Sequence, residues 1–364
     1  MKSSTKQDVG IQYLRGVSAL YVVFFHFREF LDNFLPIAML GQKFFSNGAF
    51  GVDMFFIISG YIISLSTEKK DNSIVKGYII KRFFRIYPAY FIALSIFIIL
   101  SPIKYSHHDI LRSFMMIHPD YQYNAPYFGY GVLFTAWTLT YEIYFYIIFL
   151  IGMFFSHKHR IIFTSTIAIF AMISIQLIFN KSINIFHQEQ IKNGAGILNV
   201  PGNIMVIDFI YGMFIYKIRN HLKLNKYSIA ISFLLISIGF ITIQSGVNAG
   251  HGPLQYGLYS LMIVLGVVMY EKNNKITEIK PLVFLGDISY SVYLYHVIIA
   301  TCAYSLLLKI GFSGLSMFSM MTVLSIFLAY ISYVLIEVPS VKVGHLMLKK
   351  TNERLNIKNV LHGQ

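Results

Sequence analysis

Long apolar runs separated by short polar stretches dominate the chain. A helix needs about 17 to 25 apolar residues to cross a bilayer. Runs of that kind recur at approximately 11–31, 47–66, 84–101, 131–155, 161–179, 202–217, 227–244, 254–270, 287–308 and 315–340. Between them lie turn formers and charges, as in "STEKKDNSIVKG", "SHKHR", "NHLKLNK" and "EKNNKITEIKP". The pattern predicts an all-α polytopic membrane protein of about ten transmembrane helices. Residues 1–340 would form one membrane domain and 341–364 a short basic tail. The longest connections on the far side, about 102–130 and 180–201, are too short to bury a core of their own.

Composition sharpens this picture. The 364 residues are 56% hydrophobic and 13% charged, about half the charge of a soluble domain. The first run carries Arg15, His26 and Arg28 and lacks a small-residue cleavage site, so it is predicted to stay as a span rather than leave as a signal peptide. A single cysteine, Cys302, excludes an intrachain disulfide and any site built on two thiolates.

The net charge of +14 could point to nucleic acid, but its distribution argues otherwise. With the N-terminus placed inside, 22 of the 30 Lys and Arg fall on the cytoplasmic side and 6 on the other, with Arg15 and Arg28 within the first span. That asymmetry fits the positive-inside rule and predicts that both termini are cytoplasmic. Anionic membrane lipid is then the expected counter-charge, and no nucleic-acid partner is expected.

Charged groups inside spans are costly and usually face a bundle interior or a watery cavity. They are few: Arg15, His26, Asp53, Glu142, Asp208, His296 and Glu337, with Arg82, Arg85 and Asp287 at span ends. In "RGVSALYVVFFH", eleven positions separate Arg15 from His26, close to three helical turns, which puts both on one face about 16 Å apart along the axis. Two clusters follow from depth. The inner one holds Arg15, Arg82, Arg85, Tyr290 and Glu337. The middle-to-outer one holds His26, Asp53 and Glu142, with His296 either a member or a packing residue. Arginine forks match phosphate oxygens, so the inner cluster suits an anionic cytosolic ligand. Histidine beside a carboxylate suits general-base work on a hydroxyl. The bland readings are that Arg82 and Arg85 are membrane anchors, Asp53 a neutraliser of a buried cation, and Asp208 a helix-packing group.

At these residues the chain resembles the acyltransferase-3 family of membrane acyltransferases, in its exopolysaccharide and O-antigen O-acetyltransferase-like branch. "RGVSALYVVFFH", "FGVDMFFIISGY", "KRFFRIYPAY", "AWTLTYEIYFY", "GDISYSVYLYH" and "IEVP" match family blocks in order, from residue 11 to about 340. Many members read Glu-Glu-Gln where this chain has "YEIY", which leaves Glu142 as the one carboxylate there. Some carry an extracytoplasmic esterase-like domain after the last span; with 24 residues after 340, this chain is expected to do without one or to use a partner.

The resemblance implies transfer of an acyl group, usually acetyl, from cytosolic acyl-CoA to a hydroxyl of a cell-surface glycan or its lipid-linked precursor, in a bacterial inner membrane. It implies that Arg15 and His26 are essential, and extends this to Arg82 and Arg85. On this reading Arg15, Arg82 and Arg85, with Tyr290, hold the phosphate end of CoA. His26 acts as general base or as a covalent acyl carrier, oriented by Asp53 or Glu142, with Asp53 preferred on depth. No metal is expected. The rival function is a transporter or flippase, since intramembrane charges mark transport routes as well. A homo-oligomer is left open.

Overall fold

The computed structural model describes residues 8–32, 39–69, 74–119, 121, 123–189, 191, 195–222 and 227–362. Within them the protein is helical, with no strand. Ten helices overlap the ten predicted stretches: α1 (Val9–Phe27), α2 (Phe50–Ser66), α3 (Ile74–Leu100), α4 (Trp137–Phe155), α5 (Arg160–Asn180), α6 (Val206–Arg219), α7 (Ser228–Ser245), α8 (Tyr256–Asn273), α9 (Ser289–Ile298) and α10 (Gly314–Ser332). Eight of these stretches are long and apolar enough to cross a membrane. α1 and α8 are not among these eight. Part of the charge asymmetry rests on Lys2, Lys6, Lys70, Lys192, Lys223 and Lys226, which lie outside the described residues.

Burial along α1 follows the helical period. Ile11, Gln12, Arg15, Gly16, Ser18, Ala19, Val22 and Val23 are buried, spaced three and four apart, so one stripe faces the bundle. On this stripe Arg15 has small or apolar Ile11, Ser18 and Ala19 and polar Gln12 three and four residues away.

Centre and periphery separate by burial. In the helical stretch that ends with α2 the most apolar window is 72% buried, against 22% for α5, α7 and the α10 stretch. Outward-facing Phe154, Phe170 and Ile99 on α4, α5 and α3 are correspondingly exposed, as lipid-facing side chains must be. Around α2 and α4 the rings of Tyr141, Phe145, Phe149 and Phe209 are fully buried, with Phe145 and Phe209 stacked at 4.4 Å. The α2–α6 crossing is set by two glycines. A Cβ on Gly212 would lie 1.8 Å from the Ile57 carbonyl oxygen, and one on Gly60 would lie 2.1 Å from that of Phe209. The backbones therefore touch, as small residues allow in membrane bundles.

Several elements run beyond the predicted spans. The third begins ten residues early, because the polar, basic stretch before it stays helical and brings Arg82 and Arg85 onto α3 itself. Pro88 sits within this helix, a place membrane helices tolerate. α9 continues through a π turn (Ile299–Ala303) into Tyr304–Lys309, and α10 through another (Tyr333–Glu337) into Val338–His362. The helix thus does not break at 340, and Gly344 in its extension packs on Phe84 of α3. Gln364, the predicted end of the tail, lies outside the described residues.

Candidate active site

Three arginines from two helices meet at one end of the bundle, here called the basic end. Arg15 of α1 and Arg82 and Arg85 of α3 line a cavity of about 100 Å³. Glu142 of α4, Tyr290 of α9 and Glu337 of the α10 π turn also line it. Three guanidinium groups thus face two carboxyls. Arg15 is 8% exposed and donates to Gln12 Oε1 at 3.0 Å. Gln12 in turn donates to Asp287, which holds the guanidinium in place. The Arg82 guanidinium lies 5.2 Å over the Tyr146 ring and donates to Ser66 Oγ, while its Nε is buried with no protein partner. Tyr146 donates to Glu142, Ser291 donates to Glu337, and Tyr290 donates to the Ile86 carbonyl at 3.1 Å. Every member of the predicted inner cluster is therefore here. Glu142, expected nearer the middle with His26, joins them instead, because its place on α4 faces α3.

A second, smaller cavity adjoins at Arg82, lined by Lys69, Lys81 and His157 among others. Basic groups thus continue away from the first cavity.

His26 lies elsewhere, at the other end of the α1 stripe. Its Nδ1 is 2.8 Å from the Val22 carbonyl oxygen. A carbonyl has no proton to give, so Nδ1 carries the hydrogen and Nε2 of the neutral ring carries the lone pair. That is the tautomer of a general base. His296 on α9 repeats the arrangement, with Nδ1 3.1 Å from the Val292 carbonyl oxygen and a buried, unpartnered Nε2. The two imidazoles face each other with centroids 5.0 Å apart. Between them and the basic cavity stands Tyr293, which lines that cavity and lies 5.9 Å from His296. Its hydroxyl is 3.0 Å from both Thr138 Oγ1 and the Thr135 carbonyl oxygen.

Asp53 corrects one expectation. Its carboxylate does not orient His26, a task the Val22 carbonyl performs. Both Asp53 oxygens are taken by the connection between α7 and α8: Oδ2 by His251 Nδ1 at 2.7 Å and Oδ1 by the Gly252 amide at 2.8 Å. Asp53 is fully buried and His251 is 7% exposed, packed against Trp137, Tyr127 and Tyr256. Asp208, also fully buried, has its carboxyl within electrostatic and hydrogen-bonding reach of Asp53. Glu142 does not orient His26 either, since it is bound to Tyr146 at the basic end. Sequence reasoning passed over His251 and Tyr293. The one signal for His251 was its place between two glycines in "GHGP", where Gly250 and Gly252 take φ of 145° and 131° that favour glycine. Among the described residues no group of three or more His, Cys, Asp or Glu could hold a metal ion.

Comparison with known proteins bears on what this arrangement does. Residues 8–335 match the profile described as "Acyltransferase domain" of the acyltransferase-3 family. The exopolysaccharide production protein ExoZ of Rhizobium meliloti is 22% identical over 309 residues, 82% of this chain and 92% of that protein. A Staphylococcus aureus (strain COL) protein named "Putative O-acetyltransferase" is 26% identical over 363 residues, 92% of this chain; the chain spans 57% of that protein's length. A protein of Acidianus two-tailed virus named "Putative acetyltransferase" is 26% identical over 307 residues, 82% of this chain and 86% of that protein. No solved structure matches. With the family profile running through every helix that lines the basic cavity, this chain belongs to the acyltransferase-3 family and is an acyltransferase.

Proposed function

We propose that the chain transfers an acetyl group from cytosolic acetyl-CoA to a hydroxyl of a cell-surface glycan or its lipid-linked precursor, in a bacterial inner membrane with both termini cytoplasmic. The observation that carries this reading is the meeting of Arg15, Arg82 and Arg85 on one cavity, one of them with a buried, unpartnered N–H. That donor set fits phosphate oxygens. The basic groups of the adjoining cavity fit the nucleotide end of the same molecule. The pantetheine arm then runs along α1 past Tyr293, and about 16 Å of helix separates Arg15 from His26.

At that depth the acceptor hydroxyl gives its proton to His26 Nε2 as its oxygen bonds to the thioester carbon. The carbon–sulfur bond then breaks, and the imidazolium returns the proton to the thiolate, releasing CoA and an ester. His296, the facing imidazole, keeps this pocket polar and supplies a second acceptor. Asp53 enters as the latch of the far end. The acceptor comes from that end, so donor and acceptor meet without crossing.

The test is donor binding and transfer by purified variants. His26→Ala retains acetyl-CoA binding and loses transfer, by about 100-fold or more. Arg15→Ala binds acetyl-CoA poorly, and excess donor restores part of the transfer. Substantial transfer by His26→Ala would refute the base assignment. For the orientation, a reporter fused after Gln364 behaves as cytoplasmic; extracytoplasmic activity there would reverse it.

A further inference from the structure

At the far end of the bundle, residues 101–119 and 123–133 fold back over the start of α4 and line an open cavity of about 670 Å³. Its wall includes Tyr105, Tyr123, Tyr127 and Tyr130 with Asp109 and Asn124. Among the described residues that line it there is one carboxylate and no cation, the reverse of the basic end. A phosphate-rich ligand therefore does not belong here. An uncharged, hydroxyl-rich one does.

The rim is fixed before any ligand arrives. Tyr90 donates to the Ser113 carbonyl at 2.6 Å, the Val132 amide to Ser113 Oγ at 2.9 Å, Thr140 to the Met116 carbonyl at 2.8 Å and Tyr141 to the Pro126 carbonyl at 3.1 Å. The same segment fully buries Phe128 and Leu133 yet leaves Tyr123 65% and Tyr130 49% exposed. A chain that can hide its apolar rings has left these two in the open, around a concave space. Interfacial belt tyrosines need no such cavity. The wall also leads to the proposed base: Tyr127 lies 5.4 Å from Tyr130, Tyr130 lies 5.8 Å from Phe134, and Phe134 lies 5.5 Å from His26.

We propose that this vestibule is the acceptor site and holds a segment of glycan chain, sugar faces on Tyr123 and Tyr130, neighbouring hydroxyls on Asp109 and Asn124. Axial C–H groups of a pyranose carry partial positive charge and rest on the negative face of an aromatic ring. A carboxylate and an amide accept from and donate to adjacent hydroxyls. A few such polar groups in an otherwise apolar wall orient a ligand without dominating its affinity. A neighbouring sugar then reaches past Phe134 to present its hydroxyl to His26. The assignment rests on the chain being a glycan acyltransferase.

The chain's single tryptophan, Trp137, has its ring 5.0 Å from Tyr127, so its emission reports occupancy without turnover. The purified full chain is titrated with fragments of chemically de-O-acylated surface polysaccharide from the producing organism. Acetyl transfer from radiolabelled acetyl-CoA is measured in parallel. The wild-type emission responds to the fragments. The Tyr123→Ala/Tyr130→Ala variant needs on the order of tenfold more fragment, with the KM for acetyl-CoA unchanged, and Phe at both positions restores binding. No response in the wild type, or the same titration midpoint in the Ala variant, would overturn the site. Binding without acetyl transfer would keep the vestibule as a glycan site but overturn both its acceptor role and the proposed function.

Discussion

Asp53 separates a structural from a catalytic role, and the two predict different losses. In the structure its carboxylate accepts from His251 at 2.7 Å and from the Gly252 amide at 2.8 Å, in full burial. Asp53→Ala strands both donors. Each buried donor left unpaired costs about 1–3 kcal/mol, and the two together a large part of the roughly 5–15 kcal/mol that holds a typical domain together. The thermal midpoint of the detergent-purified protein should fall by on the order of 10 °C. His251→Ala should cost less, because the Gly252 amide still satisfies one oxygen. The double variant should show a coupling of about 1.5–3 kcal/mol, the range of a hydrogen bond to a charged group. Protein that remains folded should bind acetyl-CoA as the wild type does, since no cavity-lining arginine is touched. The assay is a double-mutant cycle in thermal unfolding, paired with donor binding and kcat. An unchanged midpoint in Asp53→Ala together with a 100-fold fall in kcat would refute the latch and return Asp53 to the chemistry.

Arg85→Ala should raise the acetyl-CoA concentration needed by roughly 10- to 150-fold, from the loss of a charged hydrogen-bond partner, and Arg85→Lys should rescue in part. Unchanged donor dependence in both would make Arg85 a membrane anchor. Gly212→Ala puts a methyl 1.8 Å from the Ile57 carbonyl oxygen, so α2 and α6 must part. A stability loss of about 1–3 kcal/mol or more is expected in thermal unfolding, and a wild-type midpoint would contradict the backbone contact. His118, in the connection before α4, is held below its ordinary value of 6.5, first by burial, with Arg112 adding to it and the Gly129 carbonyl opposing. The unfolded chain therefore binds the proton more readily. The stability this group contributes is present above about pH 6.5 and is lost as the pH falls below it. Unfolding midpoints between pH 8 and 5 should drop less in His118→Asn than in the wild type, and equal slopes would exclude His118.

The spans were legible because burying a backbone in lipid demands a long apolar run, and that demand is local. The arginines were legible for the converse reason. A guanidinium in such a run must have a use, and helical geometry sets Arg15 and His26 on one stripe of α1 from spacing alone. The tautomer of His26 was equally local in origin, four residues back at Val22, but needed coordinates to see. Tertiary structure decided the partnerships. Asp53 meets His251 across 198 residues, and nothing in either segment names the other, since a polar residue in a connection carries no penalty that would mark it. Glu142 went to the basic end because the face of α4 it occupies packs on α3, and depth along a helix says nothing about rotation relative to neighbours. Nothing in the sequence set the tyrosines at the far end apart from the chain's other tyrosines. Only the return of residues 101–119 and 123–133 over α4 made Tyr105, Tyr123, Tyr127 and Tyr130 the wall of a cavity, because concavity is a property of surfaces that distant segments build together.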